Sequence, residues 1–506
     1  MRRQSAAALR GRQRMTVIST ASRWLHVHSA ATPPFLRAAS AGAPASIDSA
    51  TRFNRTPPAG VSDTYADPRP TRATRAVGSL WAAPARSGDA ISTLMAGNHS
   101  TRIYNLAEQW RGLGGALLRH LGETGESYSQ TRVNDPASFD DPADLAGLSP
   151  ERLAQHAAEL AAAQTAALAS VADQAATADL QLRLASGLTV QLRLTDSAGF
   201  DPIGMQVGIS ASGTLSGDER AAVQALADGL DRALAGLGQP DIARLDLGGL
   251  LGYDRRVIAG LDLTVNNAQH SSFLGRFELH VGGEKPSILL KGVEGEMRLS
   301  VDAGTAPAGA PTAPRAEALR GLLARIDAAG QRGQANVALV DQMKSAMAQL
   351  QTAVAGPATA PTGPGNATPG GLADFEASFS GETWRLNGAG TMRQAGNVAY
   401  QLSQRTEAGG HGPAATRQTV SEQLSADFKE APGGRMLNVD NGSYTATQVR
   451  DRSTVTTLIE SVAGGAVRAS RKTDEEQLKT VTGFEGGRVV SRQAWPGQRA
   501  WVERLG

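Results

Sequence analysis

The chain has 506 residues, and its 50 lysines and arginines nearly balance its 48 aspartates and glutamates. The resulting net charge of +2 creates no overall field that would attract nucleic acid or an anionic membrane surface. Cysteine is absent, which excludes disulfides, zinc–thiolate sites, iron–sulfur clusters and thiol nucleophiles.

Residues 1–90 are predicted to form a disordered basic tail. Seven arginines and no acidic residue occur before residue 48, and the few apolar residues cannot offset the entropy of ordering the chain. The composition is also typical of a transit peptide, but we favour a tail, or a start at Met15. We find no secretory signal and no run of 18 apolar residues. The sequence therefore predicts no integral membrane segment and favours the cytoplasm or non-classical export.

Residues 91–178 are predicted to be a helical region. Apolar residues recur at steps of three and four between residues 101 and 120, which places them on one helix face. A second helix begins at Ser149-Pro150, with the serine as N-cap and the proline in the first turn. The many alanines in this helix are typical of close packing or of a long, weakly anchored helix.

Residues 179–302 are predicted to form an α+β domain. Apolar and polar residues alternate on both sides of Ser186, which indicates a β-hairpin with one buried face. A third alternating strand follows, and Ser216 and Glu219 then form a capping box that begins an amphipathic helix containing Leu226. The same alternation predicts four more strands, near residues 261–265, 277–281, 288–290 and 297–301.

Residues 207–265 resemble an uncharacterised family of bacterial hypothetical proteins. The shared pattern is an alternating strand, a short acidic turn, an amphipathic helix and a Leu-Gly-aromatic-Asp segment before another strand. Here the last segment is Leu251-Gly252-Tyr253-Asp254, whereas Ala235-Gly236-Leu237 stands where the family carries an aromatic pair. The resemblance implies a bacterial α+β domain of unknown function and transfers no functional residue.

Residues 303–371 are predicted to be a helical hairpin between two flexible linkers. Proline, alanine, glycine and threonine fill residues 303–314 and 355–371, and each helix between them has one apolar stripe. The short segment from Gly330 to Gly333 favours an antiparallel pair. Because two short helices bury too little surface alone, we expect residues 315–354 to dock on the sheet or, alternatively, on a protein partner.

Residues 372–506 are predicted to form an antiparallel β meander with one wet face. The turns are placed at Asn441-Gly442, Gly464-Gly465, Asp474-Glu475 and Gly486-Gly487. The predicted fold class is therefore α+β: antiparallel β-sheets with amphipathic helices, a helical hairpin insert and a disordered N-terminal tail.

The sequence predicts no catalytic residue, no cofactor-binding residue and no metal ligand. His26 and His28 are close enough to share a metal but lie in the predicted tail, and His270 and His280 are expected to be ordinary polar residues. No histidine pair has the spacing of a helical zinc site.

Three segments superficially resemble functional motifs. Ser210 and Ser212 lie in an alternating strand rather than in a nucleophile elbow. The segment from Gly282 to Lys285 is predicted to be a hairpin turn rather than a phosphate-binding loop. The glycines at residues 112–115 interrupt a helix, whereas a dinucleotide fingerprint joins a strand to a helix.

Five arginines of the C-terminal strands alternate with acidic residues, which favours a mixed solvated face over a nucleic-acid site. They are Arg450, Arg452, Arg468, Arg471 and Arg488.

The sequence is compatible with three functions. The first is a non-enzymatic structural or interaction protein. The second is a carrier that binds an apolar ligand on a curved antiparallel sheet, and the third is a hydrolase with unrecognised catalytic residues. An apolar concavity would favour the carrier, and a pocket with convergent histidine and carboxylate groups would favour the enzyme.

Overall fold

A computed structural model describes residues 78–83, 88–98, 106–140, 145–171, 176–197, 203–237, 245–267, 274–306, 312–355, 369–408, 415–461 and 467–505. Most of the predicted tail, residues 1–77, lies outside this part of the chain. The short strand Ser79–Trp81 falls within the predicted tail, and Trp81 packs against the hydrophobic core.

The described residues form fifteen strands, and in most of them core and solvent side chains alternate as the sequence predicts, whereas the last two contribute no side chain to the core. They are β1 (Ser79–Trp81), β2 (Tyr128–Asn134), β3 (Ala176–Leu184), β4 (Thr189–Asp196), β5 (Gly204–Ala211), β6 (Ile258–Asn267), β7 (Leu274–Val281), β8 (Ser287–Gly292), β9 (Gly295–Val301), β10 (Phe375–Leu386), β11 (Met392–Ala408), β12 (Ala415–Glu430), β13 (Tyr444–Ser461), β14 (Val467–Glu485) and β15 (Arg488–Leu505).

The α-helices, apart from the first, fall in the regions where the sequence shows helical periodicity. They are α1 (Ala90–Asn98), α2 (Leu106–Gln109), α3 (Leu113–Thr124), α4 (Pro150–Ser170), α5 (Gly217–Ala225), α6 (Ala227–Leu237), α7 (Gly248–Leu251), α8 (Thr312–Gly333) and α9 (Val337–Val354). None of these helices combines the length and the apolar character needed to cross a membrane.

All fifteen strands join in one antiparallel sheet, in the order β1-β2-β5-β4-β3-β6-β7-β8-β9-β10-β11-β12-β13-β14-β15. The predicted hairpin around Ser186 is β3–β4, in which Leu182 lies opposite Val190. From β6 onward each strand pairs with the next one in sequence. The α+β class with an antiparallel sheet is therefore confirmed.

Helices cover one face of this sheet. Phe277 of β7, Phe379 of β10 and Tyr400 of β11 are at most 1% exposed on that face. These residues, the apolar sides of the helices other than α4 and Val449 of β13 belong to one continuous core, whereas α4 contributes to a separate small cluster. Because side chains alternate along a strand, the residues between them point to the opposite face, where helix α4 packs at the β1–β2 end through Ala167 and Val133.

The capping box predicted at Ser216 is confirmed. The Glu219 N–H donates to Ser216 Oγ (3.3 Å), and the Ser216 N–H donates to Glu219 Oε2 (2.8 Å). The helix predicted as one segment bends at Leu226 into α5 and α6, and Leu226 itself is 2% exposed.

Gly112 divides the helix predicted at residues 101–120. Its φ of +70° is left-handed, so the chain turns there between α2 and α3. Gly115 permits close packing, because a Cβ at this position would overlap the Asp231 carboxylate of α6. The Gly115 N–H also donates a hydrogen bond to Asp231 Oδ1 (2.8 Å). This segment therefore fixes the crossing of two helices.

Helix α4 begins as predicted, because Ser149 Oγ accepts a hydrogen bond from the Arg152 N–H (3.4 Å). Among its own residues only Ala167 is buried, and Leu153 is 43% exposed. Of the two interpretations of its many alanines, this agrees with a long, weakly anchored helix.

Helices α8 and α9 form the predicted hairpin, but its turn follows Gly333. Gly330 and Gly333 belong to α8, where a Cβ would lie 2.6 Å from Val340 and 2.7 Å from Val398. These glycines therefore permit close packing, and the turn begins at Gln334, whose φ is +54°. The buried side chains of both helices join the core of the sheet, which confirms docking on the sheet.

The C-terminal meander is confirmed, with two corrections to its turns. Gly486 and Gly487 join β14 to β15 with positive φ, as predicted. The turn predicted at Asp474-Glu475 is wrong: both residues lie inside β14, where Glu475 faces Arg499 and opposite charges favour the pairing. Asn441-Gly442 ends a longer connection, residues 431–443, and Gly464-Gly465 lies outside the described residues.

Candidate functional site

The face of the sheet opposite the main core carries polar side chains over most of its strands, and we call it the polar face. Strand register aligns its side chains in rows that run across the sheet. One row is Gln191, Gln181, Asp262, His280, Ser287, Ser300, Glu376, Ser403, Ser421, Thr454 and Asp474. A parallel row is Arg193, Asp179, Thr264, Glu278, Leu289, Arg298, Ser378, Gln401, Gln423, Arg452 and Glu476.

A groove of about 790 Å³ lies on the polar face between β7 and β13. Its centre is lined by hydroxyl and amide side chains, namely Ser378, Gln401, Ser403, Ser421 and Gln423. Such groups offer hydrogen bonds, and an apolar ligand would leave them unpaired. The lining therefore suits a polar ligand.

Charges at the rim of this groove are paired with each other. Arg298 Nε lies 2.5 Å from Glu296 Oε1, and Arg405 Nη2 lies 3.0 Å from Glu376 Oε1. Each pair neutralises its own field locally, so these four charges add little net field at the groove.

His280 lies at the β7 side of the groove and was expected to be an ordinary polar residue. Its Nδ1 is 2.8 Å from Asp262 Oδ1, and its Nε2 is 3.8 Å from Glu278 Oε2. Ser287 stands opposite His280 on β8. The three residue types of a hydrolytic triad thus meet in one row, although the second imidazole nitrogen lies near Glu278.

The other residues singled out from the sequence are distributed over the sheet and its margins. Ser210 lies in β5, and Ser212 Oγ accepts a hydrogen bond from the Thr189 N–H (2.9 Å). Gly282 and Gly283 turn the chain between β7 and β8 with positive φ, as predicted. His26, His28 and His270 lie outside the described residues.

The five C-terminal arginines each have an acidic neighbour on an adjacent strand. Arg450 Nη2 lies 2.7 Å from Asp427, and Arg471 Nη1 lies 2.9 Å from Glu503. Strand register places the other three opposite glutamates: Arg452 with Glu476, Arg468 with Glu460, and Arg488 with Glu485.

A second group of charged residues lies on the helix-covered face, where α8 meets β12 and β13. The Tyr400 hydroxyl donates to Glu422 Oε1 (3.0 Å), and Arg325 Nη1 is 3.7 Å from Glu422 Oε2. Burial raises the pKa of the Glu422 carboxyl, although Tyr400 and Arg325 act in the opposite direction. Arg332 donates two hydrogen bonds to Asp451 of β13. These contacts attach the helical hairpin to the sheet.

Within the described residues no group of three or more histidines and carboxylates is arranged to hold a metal ion. A comparison of the chain with family models, curated proteins and solved structures found no match.

The sequence alone did not reveal the polar face as a site. Alternation identifies the residues that point away from the core, but it does not say which residues of neighbouring strands lie side by side. His280 and Asp262 are 18 residues apart, and only the register of β6 and β7 brings them together. The signal that could have suggested the site is the predominance of serine and glutamine at solvent positions of β10–β12.

Proposed function

We propose that this protein is a non-enzymatic interaction protein that binds a polar protein partner on the polar face. The proposal rests on the groove across β7–β13, whose centre is lined by uncharged hydrogen-bonding side chains. Such a lining provides many hydrogen bonds without a strong field, and protein interfaces use about one hydrogen bond per 100–200 Å².

The choice of a protein over other polar partners follows from the groove's composition. Its lining contains no phenylalanine, tyrosine or tryptophan on which a sugar ring would stack, and its paired charges offer little attraction to the phosphates of a nucleic acid. A segment with amide and hydroxyl groups of its own fits these residues best.

The helical hairpin at residues 315–354 is a second possible contact for a partner. Its apolar stripes are already buried on the sheet, so a partner would meet the exposed side of α8, which includes Ala328. We also retain, as a proposal, the relation of residues 207–265 to the uncharacterised bacterial family. That segment holds most of β5, helices α5–α7 and most of β6.

The test is a selection of random peptides displayed against the full chain, followed by affinity measurements on two matched variants. Ser421→Arg places a long cation in the groove, and Ala328→Arg places the same side chain on the exposed side of α8. We expect Ser421→Arg to weaken binding at least tenfold, equivalent to about 1.4 kcal/mol, and Ala328→Arg to leave it unchanged. The reverse pattern would move the contact to the hairpin, and binding that neither variant changes would contradict both.

The hydrolase alternative is favoured by one observation, the row of Asp262, His280 and Ser287. If it is correct, the full chain hydrolyses an activated ester, and Ser287→Ala and His280→Gln each abolish that hydrolysis. Ser300→Ala changes the next serine of the same row and serves as the control. Hydrolysis that survives the first two variants, or no hydrolysis at all, would exclude this alternative.

A further inference from the structure

The two edges of the sheet are very different. One edge strand, β1, has three residues, which is too short to pair stably with another strand. The other, β15, has 18 residues, and all but two of them are exposed. Long exposed edge strands present a row of backbone donors and acceptors to any strand that fits.

The backbone groups that face this open edge can be identified from a contact of β14. The Leu478 N–H donates to Asp451 Oδ1 of β13 (3.3 Å), so Leu478 directs its backbone groups away from β15. In an antiparallel ladder Leu478 and the opposite residue, Pro496, are then a non-hydrogen-bonded pair. Pro496 therefore directs its nitrogen and carbonyl outward, and so does every second residue of the strand, namely Arg492, Ala494, Gln498, Ala500, Val502 and Arg504.

Pro496 divides this edge into two parts. Proline has no N–H to donate, so a strand that paired across it would lose a ladder hydrogen bond. Residues 498–504 lie beyond it and offer four consecutive outward donors and acceptors. They also carry two large exposed apolar side chains, Trp501 (42% exposed) and Val502 (67%).

We propose that residues 498–504 pair antiparallel with the same residues of a second copy of this chain, about a two-fold axis at Trp501. In this register Arg499 faces Glu503 of the second copy, whose carboxylate also contacts Arg471 of its own copy, and symmetry repeats that ion pair. Trp501 faces its own equivalent, and Ala500 faces Val502. The interface is isologous and makes one continuous sheet of the two copies.

The charges and the proline select this register over its neighbours. An axis at residue 498, 499 or 500 would place Pro496 opposite a residue of the second copy, and an axis at residue 499 would also place Arg499 opposite itself. With the axis at Trp501, Pro496 falls opposite residue 506, beyond the end of β15. The proline then limits the length of the pairing, and residues 498–504 keep all four outward donors and acceptors for it.

Single cysteines test the register directly, because the chain has none of its own. Trp501 and its equivalent would form a non-hydrogen-bonded pair with Cα atoms about 4.5 Å apart, within the range that a disulfide spans. We expect Trp501→Cys to give a covalent dimer on mild oxidation and Trp495→Cys, on the same face of β15, to remain monomeric. Equal cross-linking of the two variants would overturn the register.

Sedimentation of the full chain tests the pairing without a cross-link. Val502→Pro and Ala494→Pro each remove one outward N–H, but only residue 502 lies in the proposed ladder. We expect Val502→Pro to weaken dimerisation at least tenfold and Ala494→Pro to leave it unchanged. A wild-type chain that is monomeric at every concentration reached would overturn the proposal.

Charge reversal provides a second readout, because loss of folding could not explain association that is restored when two variants are mixed. Arg499→Glu alone and Glu503→Arg alone each set like charges face to face at both symmetric positions, so each variant should be monomeric. Mixed together, the two variants restore both ion pairs, and we expect a dimer that contains one copy of each. Failure of the mixture to associate, with both variants folded by circular dichroism, would refute this interface.

Discussion

Strands β3–β12 and strands β14–β15 belong to the same sheet but differ in what holds them. The first group is covered by helices and contributes Phe277, Phe379 and Tyr400 to the core. The second contributes no residue to that core, and its most buried side chains in β14 are the threonines Thr473 and Thr480. In one part, helix packing and strand pairing act together, whereas in the other the strands rely on pairing and cross-strand ion pairs.

The largest expected effect comes from placing the same substitution, leucine to aspartate, in each of these two parts of the sheet. Leu226→Asp puts an unpaired charge into the helix layer, where the side chain is 2% exposed, and should destabilise the protein by at least about 3 kcal/mol. Leu478→Asp makes the same change on β14, at a side chain that is 40% exposed, and should change stability by less than about 0.5 kcal/mol. Denaturant unfolding of both variants checks the comparison. Equal losses would mean that the two parts do not differ as described.

The next effect concerns the boundary between the two parts, where Arg332 of α8 meets Asp451 of β13. The Asp451 side chain is 14% exposed, so its partner's removal leaves a largely buried charge. We expect Arg332→Ala to cost about 1–3 kcal/mol. A double-mutant cycle with Asp451→Ala should show that the two losses are not additive. Strict additivity would indicate that the pair does not attach the hairpin to the sheet.

A smaller effect depends on pH and involves Glu422. Burial holds the pKa of this carboxyl above its ordinary value, so the folded chain opposes its ionisation. Stability from this group is fully present below the unfolded pKa and is lost as the pH rises through the folded pKa. Glu422→Gln keeps an acceptor for Tyr400 and should raise the melting temperature at pH 8 but not at pH 4. A gain that is equal at both pH values would contradict the pKa shift.

The smallest effect belongs to the outermost strand. Trp495 is 49% exposed on β15, so its replacement by alanine removes little buried surface. We expect Trp495→Ala to change the free energy of unfolding by less than about 0.5 kcal/mol. Phe277→Ala, at a ring that is fully buried on β7, should cost about 3–5 kcal/mol in the same assay. A large loss from Trp495→Ala would mean that the Trp495 ring is packed against the sheet.

The sequence predicted the fold class and most elements because alternation and helical periodicity are local signals. It placed the capping box at Ser216 and the turn at Gly486-Gly487 correctly for the same reason. It wrongly placed a turn at Gly330–Gly333, because in a sequence a glycine that permits close packing cannot be distinguished from one that turns the chain. It also wrongly placed a turn at Asp474-Glu475, because adjacent charged residues that pair across strands resemble the polar residues of a loop. The polar-face rows and the contact of His280 with Asp262 depend on strand register, which no local pattern contains.

The meander has a mechanical consequence. Each strand from β11 to β14 pairs only with the strand before it and the strand after it in the chain, and β15 pairs only with β14. A steady pull on the C-terminus would therefore peel the strands off in reverse order, each releasing about 60 Å of extended chain for 16–19 residues. The helix-covered strands would lengthen last, so the C-terminal strands would yield to load before the strands that the helices hold in place.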